Sequence, residues 1–254
     1  IRILISFLLT ILLTKLKIYS TIFNVKNNFK ISDIKAVAFD IDGTLYRTWK
    51  LNLRMSLHFL CHNIFFLHYG IARKELRKLP ADKNFVQIQD QIMAKRLKCT
   101  EEEAHKKLDK IVYTGLKKYF SHIKPCKGVV ELIKKLKANG YKIALLSDFP
   151  PEQKGDTWGL LEYCDVVLGS EDVGALKPAK EAFEALVVAL DLPAEQILYV
   201  GNSHKYDVEG SKNAGFKSAW LTSVISGFFG KKSDLADVTF SRYSQLEKIF
   251  FDES

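Results

Sequence analysis

The stretch AVAFDIDGTLY, residues 36–46, drives an apolar run, Ala36 to Phe39, straight into two carboxylates, Asp40 and Asp42, set one residue apart. On an extended chain alternate side chains point the same way, so two acids at this spacing repel unless something binds between them or they share a proton. The stretch therefore asks for a cation or an acid/base pair at the end of a strand. Gly43 lets the chain turn sharply directly afterwards.

Outward from this point the chain alternates short apolar runs with amphipathic, Lys/Glu-studded stretches from Ile34 onward, the pattern of βαβ units. Strands are predicted over residues 35–39, 142–146, 165–168, 197–200 and 218–221, with a weaker one over 238–240. Their apolarity is continuous rather than alternating, which fits a parallel sheet buried on both faces. Between them, CKGVVELIKKLKANG reads as a helix closed by a left-handed Gly140, and KPAKEAFEALVVALDL as a helix opening at Pro178. Residues 47–122 break the rhythm: they contain no convincing strand and three or four helical stretches, the last with Thr100 and Glu103 at capping-box spacing. The predicted fold is α/β, a Rossmann-like parallel sheet with helices on both faces in residues 33–46 and 123–254, plus an all-helical cap in residues 47–122. An apolar and basic extension, residues 1–32, precedes them.

With 254 residues, 47% hydrophobic and 26% charged, the chain is globular material for a core domain plus an insertion. The net charge of +9 raises the question of an anionic polymer, but no basic cluster is interleaved with aromatics and the lysines recur at helical spacing. A solvated basic surface is the better reading, and no nucleic-acid partner is expected. Cys61, Cys99, Cys126 and Cys164 lie far apart with no CxxC spacing, so free thiols in a reducing, cytoplasmic compartment are expected rather than a disulfide frame or a zinc site. At the N-terminus the apolar run Ile3 to Leu13 is too short to span a bilayer comfortably and is followed by Lys15 and Lys17. Three readings stay open there: an extension with no bearing on the chemistry, a membrane-associating anchor, or a cleaved signal, although no A-x-A-like site succeeds it. The oligomeric state is left open.

In a parallel sheet every strand presents its C-terminal end at the same edge, so the residues just beyond each strand converge there. The first strand leads to Asp40 and Asp42, the second to Ser147 and Asp148, the third to GSEDVGALKP with Lys177, and the fourth to GNSHKYD with Asn202 and Asp207. That set suits a phosphate and a magnesium ion. Phosphoryl transfer needs an in-line nucleophile, a proton for the leaving oxygen and groups to hold the equatorial oxygens. Asp40 could attack, Asp42 could serve as acid and then base, and Lys177 with the Ser147 hydroxyl would hold the phosphoryl oxygens, with Asp148 beside them at the phosphate. Mg²⁺ would cancel the repulsion between phosphate and Asp40.

At these residues the sequence resembles the haloacid dehalogenase (HAD) superfamily in its phosphatase branch. DIDGTLY matches its DxDGT motif, LLSD its strand-terminal Ser/Thr, GALKP its lysine motif and GNSHKYDVEGSKNAG its fourth motif, in family order over residues 34–221. The resemblance implies a Rossmann-like core, Mg²⁺ dependence, an aspartyl-phosphate intermediate and a helical cap inserted after the first motif. It puts the nucleophile at Asp40, the acid/base at Asp42, and metal ligands at Asp40, the Asp42 carbonyl, Asn202 and Asp207. Two departures stand out: Asn202 replaces a usual aspartate, bringing no charge to the metal, and Asp148 replaces a frequent asparagine. The function expected is hydrolysis of a small phosphorylated metabolite, with two alternatives: a sugar-phosphate mutase, or a weakened member that binds a phospholigand or a protein. Dehalogenation is disfavoured, because that branch lacks the second aspartate. His204 is expected exposed rather than catalytic, and His58, His62 and His68 read as helix decoration. Phe65, Phe66 and Tyr69 read as cap core, and Phe149 and Pro150 as the rim of the site.

Overall fold

The computed structural model describes residues 23–223 and 233–252. Its strands are β1 (Asn24–Val25), β2 (Ala36–Asp40), β3 (Lys142–Ser147), β4 (Val166–Gly169), β5 (Ile197–Gly201), β6 (Lys217–Leu221) and β7 (Val238–Phe240). They form one sheet in the order β1-β7-β6-β5-β2-β3-β4. Every pairing is parallel except β1 with β7. Central β2 is buried at every residue, with Val37 in register with Ile143 on one side and Leu198 on the other.

Between β2 and β3 the described residues form α1 (Thr48–Cys61), α2 (Asn63–Leu76), α3 (Phe85–Leu97), α4 (Glu101–Leu108) and α5 (Thr114–Phe120), which make the cap. A π-helical turn, Asp109–Tyr113, joins α4 to α5. The core adds α6 (Val129–Ala138), α7 (Lys180–Leu190), the short α8 (Gly210–Asn213) and α9 (Tyr243–Phe251).

Strand alternation divides the apolar residues between two layers. On one face Val37, Phe39, Leu145 and Val200 pack with Leu132 and Leu136 of α6 and Leu246 and Ile249 of α9. On the other, Ala36, Ala38, Leu146 and Tyr199 meet Phe183 and Leu186 of α7. The fold is thus α/β and Rossmann-like with a helical cap, as the apolar runs imply. Asp40 has the parity of Ala36 and Ala38, while Ile41 joins the opposite layer.

Local signals map onto element ends. Thr100 and Glu103 form the reciprocal capping box of α4, and Gly140, at φ +85°, comes just after α6. The helix expected to open at Pro178 instead begins at Lys180, with Ala179 as its N-cap. The Lys177 amide donates to Asp148 Oδ1 and its carbonyl accepts from Arg77 Nε, which keeps the chain out of the helix at that point. The two-residue β1 falls in the segment assigned to the extension; two residues carry no readable period. The run Ile3 to Leu13 and its three readings lie outside the described residues. Among the described residues no helix is long and apolar enough to cross a membrane. All four cysteines are free.

Candidate active site

The chain leaves β2 for β3 and β4 on one side, then crosses to β5, β6 and β7 on the other. Asp40 therefore ends the strand at which the winding reverses, where open α/β sheets form their crevice. Gly43 turns the chain at φ +91°, and a Cβ there would lie 2.6 Å from Asn202 Nδ2 and 2.7 Å from Thr48 Oγ1, so the turn needs glycine for both conformation and space.

The strand ends bring Asp40, Lys177 and Asp207 into one buried cluster. Lys177 Nζ lies 2.7 Å from Asp40 Oδ1, 2.8 Å from Asp207 Oδ1 and 3.1 Å from the Tyr199 hydroxyl. An ammonium has three protons, and these three acceptors use them all. Asp40 Oδ2 accepts from the Thr44 hydroxyl at 2.8 Å, and Asp207 Oδ2 from the Ser203 amide at 2.8 Å. Asp207 thus caps its own loop with one oxygen and joins the cluster with the other. Burial pushes the Asp40 carboxyl up to about 7; Lys177 opposes this, but Asp207 and Asp42 add to the rise. Burial alone would lower the Lys177 ammonium, yet Asp207 and Asp40 hold it well above its ordinary value.

Asp42 belongs to a second, more open cluster. Its Oδ2 accepts from the Ser147 hydroxyl at 3.2 Å and lies 3.0 Å from Lys154 Nζ, while its Oδ1 accepts from the Tyr46 hydroxyl. Lys154 also donates to Ser147 Oγ at 2.7 Å, and its side chain is only 2% exposed. Burial, followed by the Asp42 charge, raises the Tyr46 phenol well above its ordinary value, so Tyr46 stays a donor.

Asp148, expected at the phosphate, turns its carboxylate toward the cap. It pairs with Arg77, the C-cap of α2, and accepts from the Ser170 hydroxyl at 2.9 Å and from the Lys177 amide at 3.2 Å. Burial would raise its pKa, but Lys177, Arg77 and Arg73 outweigh that and hold it below the ordinary value. Nearby, Arg73 forms a buried pair with Glu171, which also accepts from the Tyr113 hydroxyl at 2.7 Å. An arginine of α2 and the arginine that caps it are thus tied to two core loops.

The two aspartates and their neighbours line a cleft of about 130 Å³ with Asp148, Phe149, Lys177, Asn202, Ser203, Tyr206 and Asp207. At ~30 Å³ per liquid water, that is room for roughly four waters. Ser147 is fully buried beneath it. Among the described residues no three His, Cys, Asp or Glu side chains form a metal cluster by themselves. Asp40 Oδ2 and Asn202 Oδ1 each lie within hydrogen-bond distance of the Thr44 hydroxyl, at 2.8 and 3.2 Å, and Asp207 meets Asp40 through Lys177. This all-oxygen, hard donor set fits Mg²⁺ better than a softer metal.

Sequence reasoning missed Thr44, Tyr46, Lys154, Tyr206 and Arg77. Thr44 and Tyr46 lie within residues 36–46, and their hydroxyls were the available signal; Lys154 and Arg77 look like ordinary surface cations until the fold buries the first and pairs the second with Asp148. Tyr206 carries the Arg77 guanidinium 4.5 Å over its ring. Phe149 lines the cleft as expected of a rim residue, and Phe65 and Tyr69 are buried in the cap. His204 is partly exposed, bonded to Glu209 and Ser233 away from the aspartates, and His58 contacts the Ile111 carbonyl.

Residues 37–221 match the family described as haloacid dehalogenase-like hydrolase. The chain is 31% identical over 204 residues to pyrophosphatase PpaX of Halalkalibacterium halodurans, covering 77% of this chain and 86% of the relative. It is 28% identical over 224 residues to PpaX of Bacillus mycoides, covering 85% and 96%. Among solved structures, a HAD phosphatase from Thermococcus onnurineus superposes with a TM-score of 0.58 at 22% identity, over 86% of this chain and 98% of that one. A 2-haloacid dehalogenase from Pseudomonas syringae gives a TM-score of 0.60 at 18% identity, over 87% and 100%. At those identities the two structures attest to the fold alone.

Proposed function

The chain belongs to the haloacid dehalogenase-like hydrolase family, and on that premise we propose that it is a Mg²⁺-dependent phosphatase of a small phosphorylated metabolite, working through an aspartyl phosphate on Asp40. The observation that carries this reading is the convergence of Asp40, Asp42, Lys177 and Asp207 around one small cleft at the sheet edge.

In this reading Asp40 is the nucleophile: a carboxylate oxygen forms a bond to phosphorus as the ester P–O bond breaks, and the leaving oxygen takes a proton from Asp42. Water then gives a proton to Asp42 and attacks phosphorus, the bond to Asp40 breaks, and phosphate leaves. Lys177, with its protons committed to Asp40, Asp207 and Tyr199, orients the nucleophile rather than reaching for a phosphoryl oxygen. Lys154, Ser147 and Tyr46 orient Asp42. Asp148 holds Arg77 at the mouth of the cleft, so its negative charge is neutralised beside an incoming anion. Asp40, the Asp42 carbonyl, Asn202 and Asp207 would hold Mg²⁺, which when bound neutralises phosphoryl charge.

The test is phosphate release from an aryl phosphate by purified protein, with Mg²⁺ and with a chelator. Metal-dependent release that disappears in Asp40→Asn is expected; equal release with and without metal, or none, rejects the reading. A second reading, hydrolysis of pyrophosphate, is favoured by the name of the PpaX relatives. Comparing kcat/KM for pyrophosphate with a panel of phosphomonoesters decides between them.

A further inference from the structure

Helices α1 and α2 run as one bent rod: across the bend the His62 amide donates to the His58 carbonyl and the Phe66 amide to the His62 carbonyl. One side of the rod, with Leu51, Met55, Phe65 and Tyr69, is buried. Another stands in solvent. Leu53, Leu57, Leu60, Ile64 and Leu67 are each 65–69% exposed, continued by Trp49 at one end and Ile71 at the other. Successive members are four, four, three, four, three and four residues apart, the spacing that keeps side chains along one stripe of a helix. Of the twelve large apolar side chains exposed among the described residues, these are seven. Scattered exposed leucines need no explanation, but a continuous stripe does.

Along the stripe itself the charge is of one sign. From Arg47 to Lys74 the sequence carries Arg47, Lys50, Arg54, Arg73 and Lys74 and no Asp or Glu. Lys50, Arg54 and Lys74 are exposed. The neighbouring pocket beside His62 adds Lys107 and Lys110, with Lys106 paired to Glu102 and Glu103 as the lining acid. A two-fold pairing of this stripe with its own copy would set these cations against one another, and the one carboxylate of the rod, Glu75, is already taken by Arg96. An anionic surface meets both the apolar and the cationic component. The same combination recurs in sequence at Ile3 to Leu13, flanked by Arg2, Lys15 and Lys17, with no acid before Asp33. Two weak membrane signals together are what reversible interfacial binding needs to become stable.

We propose that the exposed α1–α2 face is a docking surface for an anionic lipid bilayer, lying in the interfacial plane with its leucines among the acyl chains and its cations at the headgroups.

Co-sedimentation of the full chain with phosphatidylcholine vesicles, with and without phosphatidylserine, tests this. Wild-type protein is expected to pellet with the phosphatidylserine vesicles, less so as salt is raised. The double substitution Leu57→Ser/Ile64→Ser is expected to weaken that binding about tenfold. Lys50→Gln/Arg54→Gln is expected to remove the preference for phosphatidylserine. Both pairs are exposed, so an unchanged thermal transition shows that each variant folds. Binding by both variants equal to wild type, no binding to either vesicle, or a stripe-dependent dimer in vesicle-free sedimentation velocity without vesicle binding would overturn the proposal.

Discussion

The sheet edge and the seam beneath the cap hold their charges in different ways. At the edge each lysine bridges groups from separate strand ends: Lys177 joins Asp40 to Asp207, and Lys154 joins Asp42 to Ser147. At the seam two arginines, one in α2 and one at its C-cap, each take one carboxylate of a core loop, Arg73 with Glu171 and Arg77 with Asp148. The side chains of the edge therefore come from the core alone, whereas the seam joins cap arginines to core carboxylates beside apolar contacts such as Leu76 and Phe85 with Leu176. Chemistry that depends on the first should survive damage to the second.

The sharpest way to break this contrast is Lys177→Met. It leaves two buried carboxylates without their shared cation, and removing one partner of a buried pair costs about 3–5 kcal/mol. Urea unfolding should show that loss, and the folded remainder should have lost most of its turnover. Arg73→Met strands one buried carboxylate, Glu171, which keeps its Tyr113 hydrogen bond. A loss of about 3 kcal/mol is expected, with kcat of the folded fraction kept within about threefold. If kcat fell as far as in Lys177→Met, the edge would not be independent of the seam.

Lys154→Met is expected to act on chemistry more than on binding. Asp42 would keep Tyr46 and Ser147 but lose the cation that fixes its second oxygen, so kcat should drop about 10- to 100-fold with KM little changed. A change confined to KM would place Lys154 in substrate binding instead. The smallest effect is expected for Asp148→Asn. Because the folded pKa of Asp148 lies below its ordinary 3.8, the carboxylate contributes stability above that value and loses it as pH falls through the lower folded value. The wild type should exceed the variant by about 1 kcal/mol near neutrality, and the gap should close in acid; a gap independent of pH would mean the Arg77 pair contributes nothing.

Legibility in the sequence divides along the same line. Asp40, Ser147 and Asn202 were legible because each lies at or just beyond the end of a buried strand, and Lys177 and Asp207 because they lie in the loops that leave β4 and β5 at the same edge of a parallel sheet. The role of Lys177 was less so: that its three protons are committed within the core depends on Tyr199, whose hydroxyl lies inside a strand that reads only as apolar. Asp148 shared the legible position but not the expected role, because its partner Arg77 lies at a helix end where Arg73, Lys74 and Lys78 recur as they would on any solvated face. Lys154 belongs to an irregular loop, where no periodicity announces burial. The α1–α2 stripe was not read at all: the sequence suggested cap core only at Phe65, Phe66 and Tyr69, and only the packing shows that one apolar side of the rod is left uncovered.

The most direct test of the central claim, that Asp40 carries the phosphoryl group, is chemical trapping of the intermediate. Protein quenched during turnover and treated with borohydride should yield a peptide in which Asp40 is reduced to the corresponding alcohol, with the signal absent in Asp40→Asn and larger in Asp42→Asn, where release by water is slowed. Turnover with Asp40 unmodified throughout, or with the label on another residue, would contradict it.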